Sequence, residues 1–275
     1  MRTLRNYALI YDDQCPICQV YTKALVVTGV FEKKGREAYQ VMDNQTCTLI
    51  DKDRARNEIA LVNKKTGEVN YGLDSLLKVT YYIFPFVKYI FKIKPIYWLF
   101  KIIYSTISYN RKIIMPSGRT NDVCTPDFHL KNRSRYIIFA WIMTSYLMYK
   151  FSFHLGEYLP KSNYGREFFI CGGQIIFQAM ILWKIKFETK MDYLGNMMTI
   201  SLVGSILLGF GILSGKLFSI QSSNFYLAYF GFVVFLMLLE HNRRAKILAL
   251  GLTPTISWVI YRIIILIFIF FNIKF

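Results

Sequence analysis

The sequence predicts two parts in series. Residues 1–130 read as an α/β domain, and residues 131–275 as an all-α transmembrane bundle of about five helices. Three observations carry this. Of 275 residues, 54% are hydrophobic, above the roughly 45–50% of an ordinary soluble domain. The excess is uneven: residues 1–135 hold 22 Lys/Arg and 12 Asp/Glu, while 136–275 hold 12 and 5 and carry the long apolar runs. Strand-like and helix-like runs alternate through residues 7–82. Together they exclude a single soluble globule, a disordered chain and a disulfide-stapled secreted scaffold.

The elements of the head follow in order. Tyr7–Tyr11 (YALIY) is a short apolar strand. Residues 15–28 show helical spacing through Ile17, Val20, Tyr21, Ala24, Leu25 and Thr28, and stop at Gly29. Residues 39–42 read as a second short strand. Residues 58–63 and 68–71 form a hairpin around a turn at 64–67 that ends in Gly67. Residues 73–82 begin another helix. The order β-α-β-β-β-α, with a Cys-x-x-Cys at the first strand–helix junction, fits a thioredoxin-like α/β sandwich.

That junction, Tyr11-Asp12-Asp13-Gln14-Cys15-Pro16-Ile17-Cys18, carries the chemistry. Disulfide exchange needs one exposed thiolate to attack and a nearby thiol to resolve the mixed disulfide. Cys15 falls at the start of a helix, where unpaired N–H groups and the positive dipole end favour a thiolate. Pro16 suits the first helical position, where its missing N–H costs nothing. Cys18 lies about one turn further on. Cys15 is therefore read as the nucleophile and Cys18 as the resolving thiol. Either Asp12 or Asp13 is placed to take a proton from Cys18, and the sequence leaves open which turns inward. The rival is zinc, which needs four ligands. Cys47, Cys124 and His129 would have to complete the set, without a second tight motif. No metal is expected.

The same residues resemble a known family. YDDQCPICQVY is similar to the start of the DCC family of thiol–disulfide oxidoreductases, Tyr-Asp-Gly-x-Cys-Pro-x-Cys; Asp12, Cys15, Pro16 and Cys18 match, and Asp13 stands where the family has Gly. Gly72-Leu-Asp-Ser-Leu-Leu, the Pro85 and Pro95 helix starts, Tyr104 with Asn110-Arg111, and Cys124-Thr-Pro extend the resemblance over residues 5–130. It implies a thioredoxin-like fold and thiol–disulfide exchange. Residues 43–84 contain no Pro, so the cis-Pro substrate groove of thioredoxins is not expected.

Residues 79–107 interleave ten aromatic side chains, among them Tyr89, Trp98 and Phe100, with Lys88, Lys92, Lys94 and Lys101. This basic, aromatic, amphipathic pattern suits the cytoplasmic interface of a bilayer, and equally an apolar face packed on the head itself. Five apolar segments follow, at 136–153, 168–183, 193–213, 225–239 and 247–271. Alternate flanks carry nine Lys/Arg (Lys131, Arg133, Arg135, Lys184, Lys186, Lys190, Arg243, Arg244, Lys246) and the opposite flanks four (Lys161, Arg166, Lys216, Lys274). The positive-inside rule then puts the head in the cytoplasm and the C-terminus outside the inner (cell) membrane. The start of the chain has an apolar run too short for a signal peptide, so export by a cleaved leader is not expected. The fifth segment contains Pro254 and Arg262, and a broken or re-entrant helix is its alternative.

Polar groups in such segments are functional candidates: Arg262, the cluster with Glu240 and His241, and Gln174 with Gln178 at i, i+4. The competing reading is helix packing and interhelical hydrogen bonding. No nucleic-acid-binding motif accompanies the net charge of +17, and no nucleic-acid partner is expected. The expectation is a membrane-bound thiol–disulfide oxidoreductase whose partners are protein or small-molecule thiols and disulfides, the bilayer and a membrane protein. No resident cofactor is expected; a lipid-soluble quinone is an alternative to a membrane-associated thiol or disulfide as the electron-exchange partner, with no motif in the sequence to support it. The alternative is a transporter or assembly scaffold with a redox-sensing or docking head.

Overall fold

The computed structural model describes residues 3–116, 126–160 and 162–271. They divide into two compact units, Met1–Arg133 and Ser134–Phe275.

In the first unit, β1 (Tyr7–Tyr11) leads into α1 (Pro16–Val27) and β2 (Arg36–Ala38); the short helices α2 (Asn44–Leu49) and α3 (Lys52–Asn57) follow. Then come β3 (Ala60–Asn63), β4 (Val69–Tyr71), α4 (Gly72–Ile83), α5 (Val87–Phe91) and α6 (Lys94–Ile114). The strands form one mixed sheet in the order β2-β1-β3-β4. β1 runs parallel to β2, with Leu9 opposite Arg36, and antiparallel to β3, with Leu9 opposite Leu61; β3 and β4 are antiparallel.

Alternation along β1 and β3 explains why both sheet faces are buried. Leu9, Ile59 and Leu61 face one side, against Tyr21 and Leu25 of α1, Leu76 and Val79 of α4, and Tyr104 of α6. Ala8, Ile10, Ala60 and Val62 face the other, against Ile50 and Ala55. Pro16 at the first turn starts α1, and Gly29, at φ +75°, follows its end.

Two local expectations change. The second strand lies at Arg36–Ala38, and residues 39–41 form a single 3-10 turn. The sequence Arg-Glu-Ala has no apolar alternation to announce a strand; its pairing to β1 supplies it. The helices α2 and α3, six residues each, were not anticipated. Asp51 caps α3 by accepting the Arg54 N–H at 3.0 Å.

The second unit is helical: α7 (Leu130–Ser152, which begins in the first unit), α8 (Tyr164–Ile181), α9 (Phe187–Leu217), α10 (Ser223–Ile247) and α11 (Thr253–Phe270). Among the described residues, α9, α10 and α11 are long and apolar enough to cross a membrane. α8 is more polar, with Arg166, Glu167, Gln174 and Gln178 in 18 residues. α11 is continuous: Pro254 sits in its first turn, so it does not break the helix. Two apolar clusters hold the unit, one around Tyr193, Met197, Met198 and Trp258, the other around Phe151, Leu208, Tyr226 and Val233. Small residues let α9 approach α10: a Cβ on Gly211 would meet the Tyr229 ring, and one on Gly215 the Tyr226 hydroxyl.

Candidate functional site

The Cys15–Cys18 pair stands where β1 hands over to α1. Cys15 occupies the N-cap position with extended backbone (φ −89°, ψ 111°), so its side chain lies beside the first N–H groups of the helix. Its own N–H donates to the Asp12 carbonyl at 3.3 Å, closing the turn between strand and helix. No non-glycine residue in this turn has a positive φ, so Asp13 in place of Gly carries no backbone strain there.

Asp12 is the residue that turns inward. Its Oδ1 accepts from the Gln14 N–H at 3.0 Å and from Gln40 Nε2 at 3.1 Å, and its Oδ2 pairs with Arg111 Nη2 at 3.3 Å. Both side chains of that ion pair are only 10% exposed. Arg111 also donates from Nη2 to the Arg56 carbonyl at 2.8 Å, so the guanidinium ties α6 and α3 to the first strand–helix turn. Asp13 instead donates its N–H to Gln40 Oε1 at 3.4 Å.

The pair opens on a cavity of about 270 Å³, whose walls are mostly apolar: Ile10, Ile17, Ile59, Leu76 and Ile107, with Tyr21 and Tyr104. Asp12, Glu58, Ser108 and Arg111 supply its polar groups. Tyr104 is fixed in the wall by accepting the Ile59 N–H at 3.1 Å, and burial pushes its phenol up to about 12. Ser108 donates to the Asn57 carbonyl at 2.6 Å.

The two thiols differ. A hydrogen bond from the Cys18 thiol is the main cause holding Cys15 down, from the ordinary 9.0 to about 7. Burial opposes it, while the Cys18 backbone N–H and the Arg111 charge assist. Cys18 is pushed up by the same bond, because its proton is the one shared, and by burial. The assignment of Cys15 as the more acidic thiol thus has a local cause. One expectation changes: Cys15 is only 6% exposed. Its sulfur is reached through the cavity rather than from an open surface.

Asp12, Cys15, Pro16 and Cys18 are brought together, with Asp13 beside them. Cys124 lies outside the described residues, so its relation to the pair and to a zinc set falls outside them too. Among the described residues, no three His, Cys, Asp or Glu side chains cluster as metal ligands. Sequence reasoning placed no site role on Arg111, Tyr104, Ser108 or Gln40. The first three lie on one face of α6 at i, i+4 and i+7, a spacing that could have drawn attention to them.

In the second unit the helical repeat separates residues that adjoin in sequence. Glu240 accepts from Arg243 Nε at 2.6 Å and Arg244 Nε at 2.7 Å. His241, one step round the helix, is buried between the Tyr193 hydroxyl (3.1 Å) and the Thr255 hydroxyl (3.0 Å). Gln178 Oε1 accepts from Tyr193 and Ser257, each at 3.1 Å. Arg262 lies 5.2 Å from the centre of the Trp258 ring, which stacks on His241. Gln174 is buried apart from this network, with neither amide atom paired among the described residues. Gln178, His241 and, through Trp258, Arg262 therefore form one cluster; Glu240 belongs to another, and Gln174 to neither.

No protein-family model, no curated protein and no solved structure matches the chain.

Proposed function

We propose that the protein is a membrane-bound thiol–disulfide oxidoreductase in which Cys15 attacks and Cys18 resolves. The observation that carries the reading is the pairing of a thiol lowered to about 7 with a proton-holding neighbour one helical turn away, both facing one cavity. The parallel β1–α1–β2 unit with Cys-x-x-Cys at its first junction supports a thioredoxin-like head. The resemblance of residues 5–130 to the DCC family points the same way.

The exchange runs in two steps. The Cys15 thiolate attacks one sulfur of a substrate disulfide; a Cys15–substrate bond forms, and the second substrate sulfur leaves and takes up a proton. Cys18 then gives up its proton to solvent and attacks Cys15 Sγ. The Cys15–Cys18 disulfide forms, and the first substrate sulfur leaves as a thiol. The substrate disulfide gains two electrons and two protons, which the dithiol loses. The reverse sequence oxidises a substrate dithiol. The Asp12–Arg111 pair is nearly neutral as a unit, so it braces the turn while leaving the Cys15 thiolate little opposed.

The membrane body is read as about five spans, with the head on the cytoplasmic side of the cell membrane. The positive-inside count supports this reading, and three helices support membrane insertion. The buried Gln178–Tyr193–His241 network favours a second reading, a transporter or scaffold whose head senses redox state.

Trapping separates the two. A Cys18→Ser chain should accumulate partners on Cys15 as reductant-sensitive mixed disulfides in non-reducing electrophoresis. If nothing accumulates, and Cys15→Ser leaves cellular function intact, the oxidoreductase reading fails.

A further inference from the structure

We propose that the outward faces of α5 and α6 form a docking surface for an anionic lipid bilayer. The inference does not depend on the thiol chemistry. α6 has two faces. Tyr97, Tyr104, Ser108 and Arg111 recur at helical spacing and turn to the head: Tyr97 donates to Asp74 Oδ1 at 2.9 Å, and the other three make the bonds described above. The opposite face is left uncovered by the rest of the first unit. Leu99 and Ile103 are exposed there, and Trp98 beside them is 64% exposed. Phe86, just before α5, and Tyr89, within it, are exposed as well. Contiguous apolar exposure on this scale marks an interaction site rather than ordinary surface.

The charge on this stretch selects the occupant. Lys88, Lys92, Lys94 and Lys101 are all exposed, and no Asp or Glu occurs between Asp74 and Asp122. Lysine is depleted in the cores of protein–protein interfaces. Tryptophan and tyrosine at headgroup depth, with lysines reaching phosphate, form the usual pattern of a helix lying in a bilayer interface. The same chain carries three helices able to cross a membrane, so a bilayer is within its reach.

The test uses the full-length chain in lipid nanodiscs. The photo-crosslinker p-benzoylphenylalanine replaces Trp98, and Lys65 in the β3–β4 turn serves as the reference position. Trp98 is exposed, so its replacement spares the fold. In discs containing phosphatidylglycerol, irradiation should give a phospholipid-mass adduct at position 98 and none at 65. The yield should drop at least about fivefold in pure phosphatidylcholine, and by a similar factor when Lys88, Lys92, Lys94 and Lys101 are changed to Gln. Four results would overturn the proposal: no adduct, an adduct the size of a second copy or a foreign protein, an adduct to residues 187–270, or a yield indifferent to lipid charge.

Discussion

Replacing Cys18 with alanine removes the hydrogen bond that lowers the Cys15 thiol most. With that thiol at about 7, half of Cys15 is thiolate at pH 7. Returned to the ordinary value of 9.0, about 1% would be, a loss of about fiftyfold in reactive species. The more basic thiolate is also the better nucleophile, and a Brønsted slope of about 0.4–0.5 restores about six- to tenfold. Alkylation of Cys15 at pH 7 should therefore slow by only about five- to eightfold, whereas the midpoint of its rate–pH profile should rise by about two pH units. The assay is iodoacetamide labelling from pH 5 to 10, read by site-resolved mass spectrometry so that Cys47, Cys124 and Cys171 do not contribute. The sign is fixed: burial already raises the Cys15 thiol, so losing the Cys18 donor can only move the midpoint up. An unchanged midpoint in Cys18→Ala, or a midpoint at or above 9 in the parent chain, would refute the reasoning.

Other substitutions probe the scaffold of the site. Arg111→Gln strands Asp12 in a place where both side chains are nearly buried, and thermal unfolding in detergent should show a loss of about 3–5 kcal/mol; adding Asp12→Asn should recover part of it. Gly72 has φ +61°, and a Cβ there would stand 2.7 Å from Glu58 Oε2; Gly72→Ala should cost at least about 1–2 kcal/mol in the same assay. Gly211→Leu drives a side chain into the Tyr229 ring at the α9–α10 contact, and should destabilise the helical unit by about 1–3 kcal/mol without moving the Cys15 labelling midpoint.

What the sequence revealed and what it hid have separate physical reasons. β1, α1, the β3–β4 hairpin and α4 were legible because their apolar residues repeat at the period of the element they form. β2 was not, since Arg36-Glu37-Ala38 becomes a strand only through its bonds to β1. α2 and α3 are too short and too polar to show a period. At the site, the proximity of Asp12, Cys15, Pro16 and Cys18 was readable because all four lie at one helix start. Arg111 and Tyr104 lie far along the chain, and only the packing of α6 brings them to the cavity. The burial of Cys15 was hidden for the same reason. In the helical unit, Glu240 and His241 read as one charged cluster, whereas a turn of about 100° per residue points one to arginines and the other to Tyr193.

The central claim is that Cys15 and Cys18 form one reversible two-electron couple. Equilibrating the full-length chain across a range of thiol–disulfide buffer ratios, quenching with acid and alkylating the remaining thiols tests it most directly. The account predicts that both cysteines lose and regain alkylation together, that a peptide carrying a Cys15–Cys18 disulfide appears as they do so, and that Cys171 stays constant. Cys15 and Cys18 that titrate independently, or that form no bond to each other at any ratio, would contradict it.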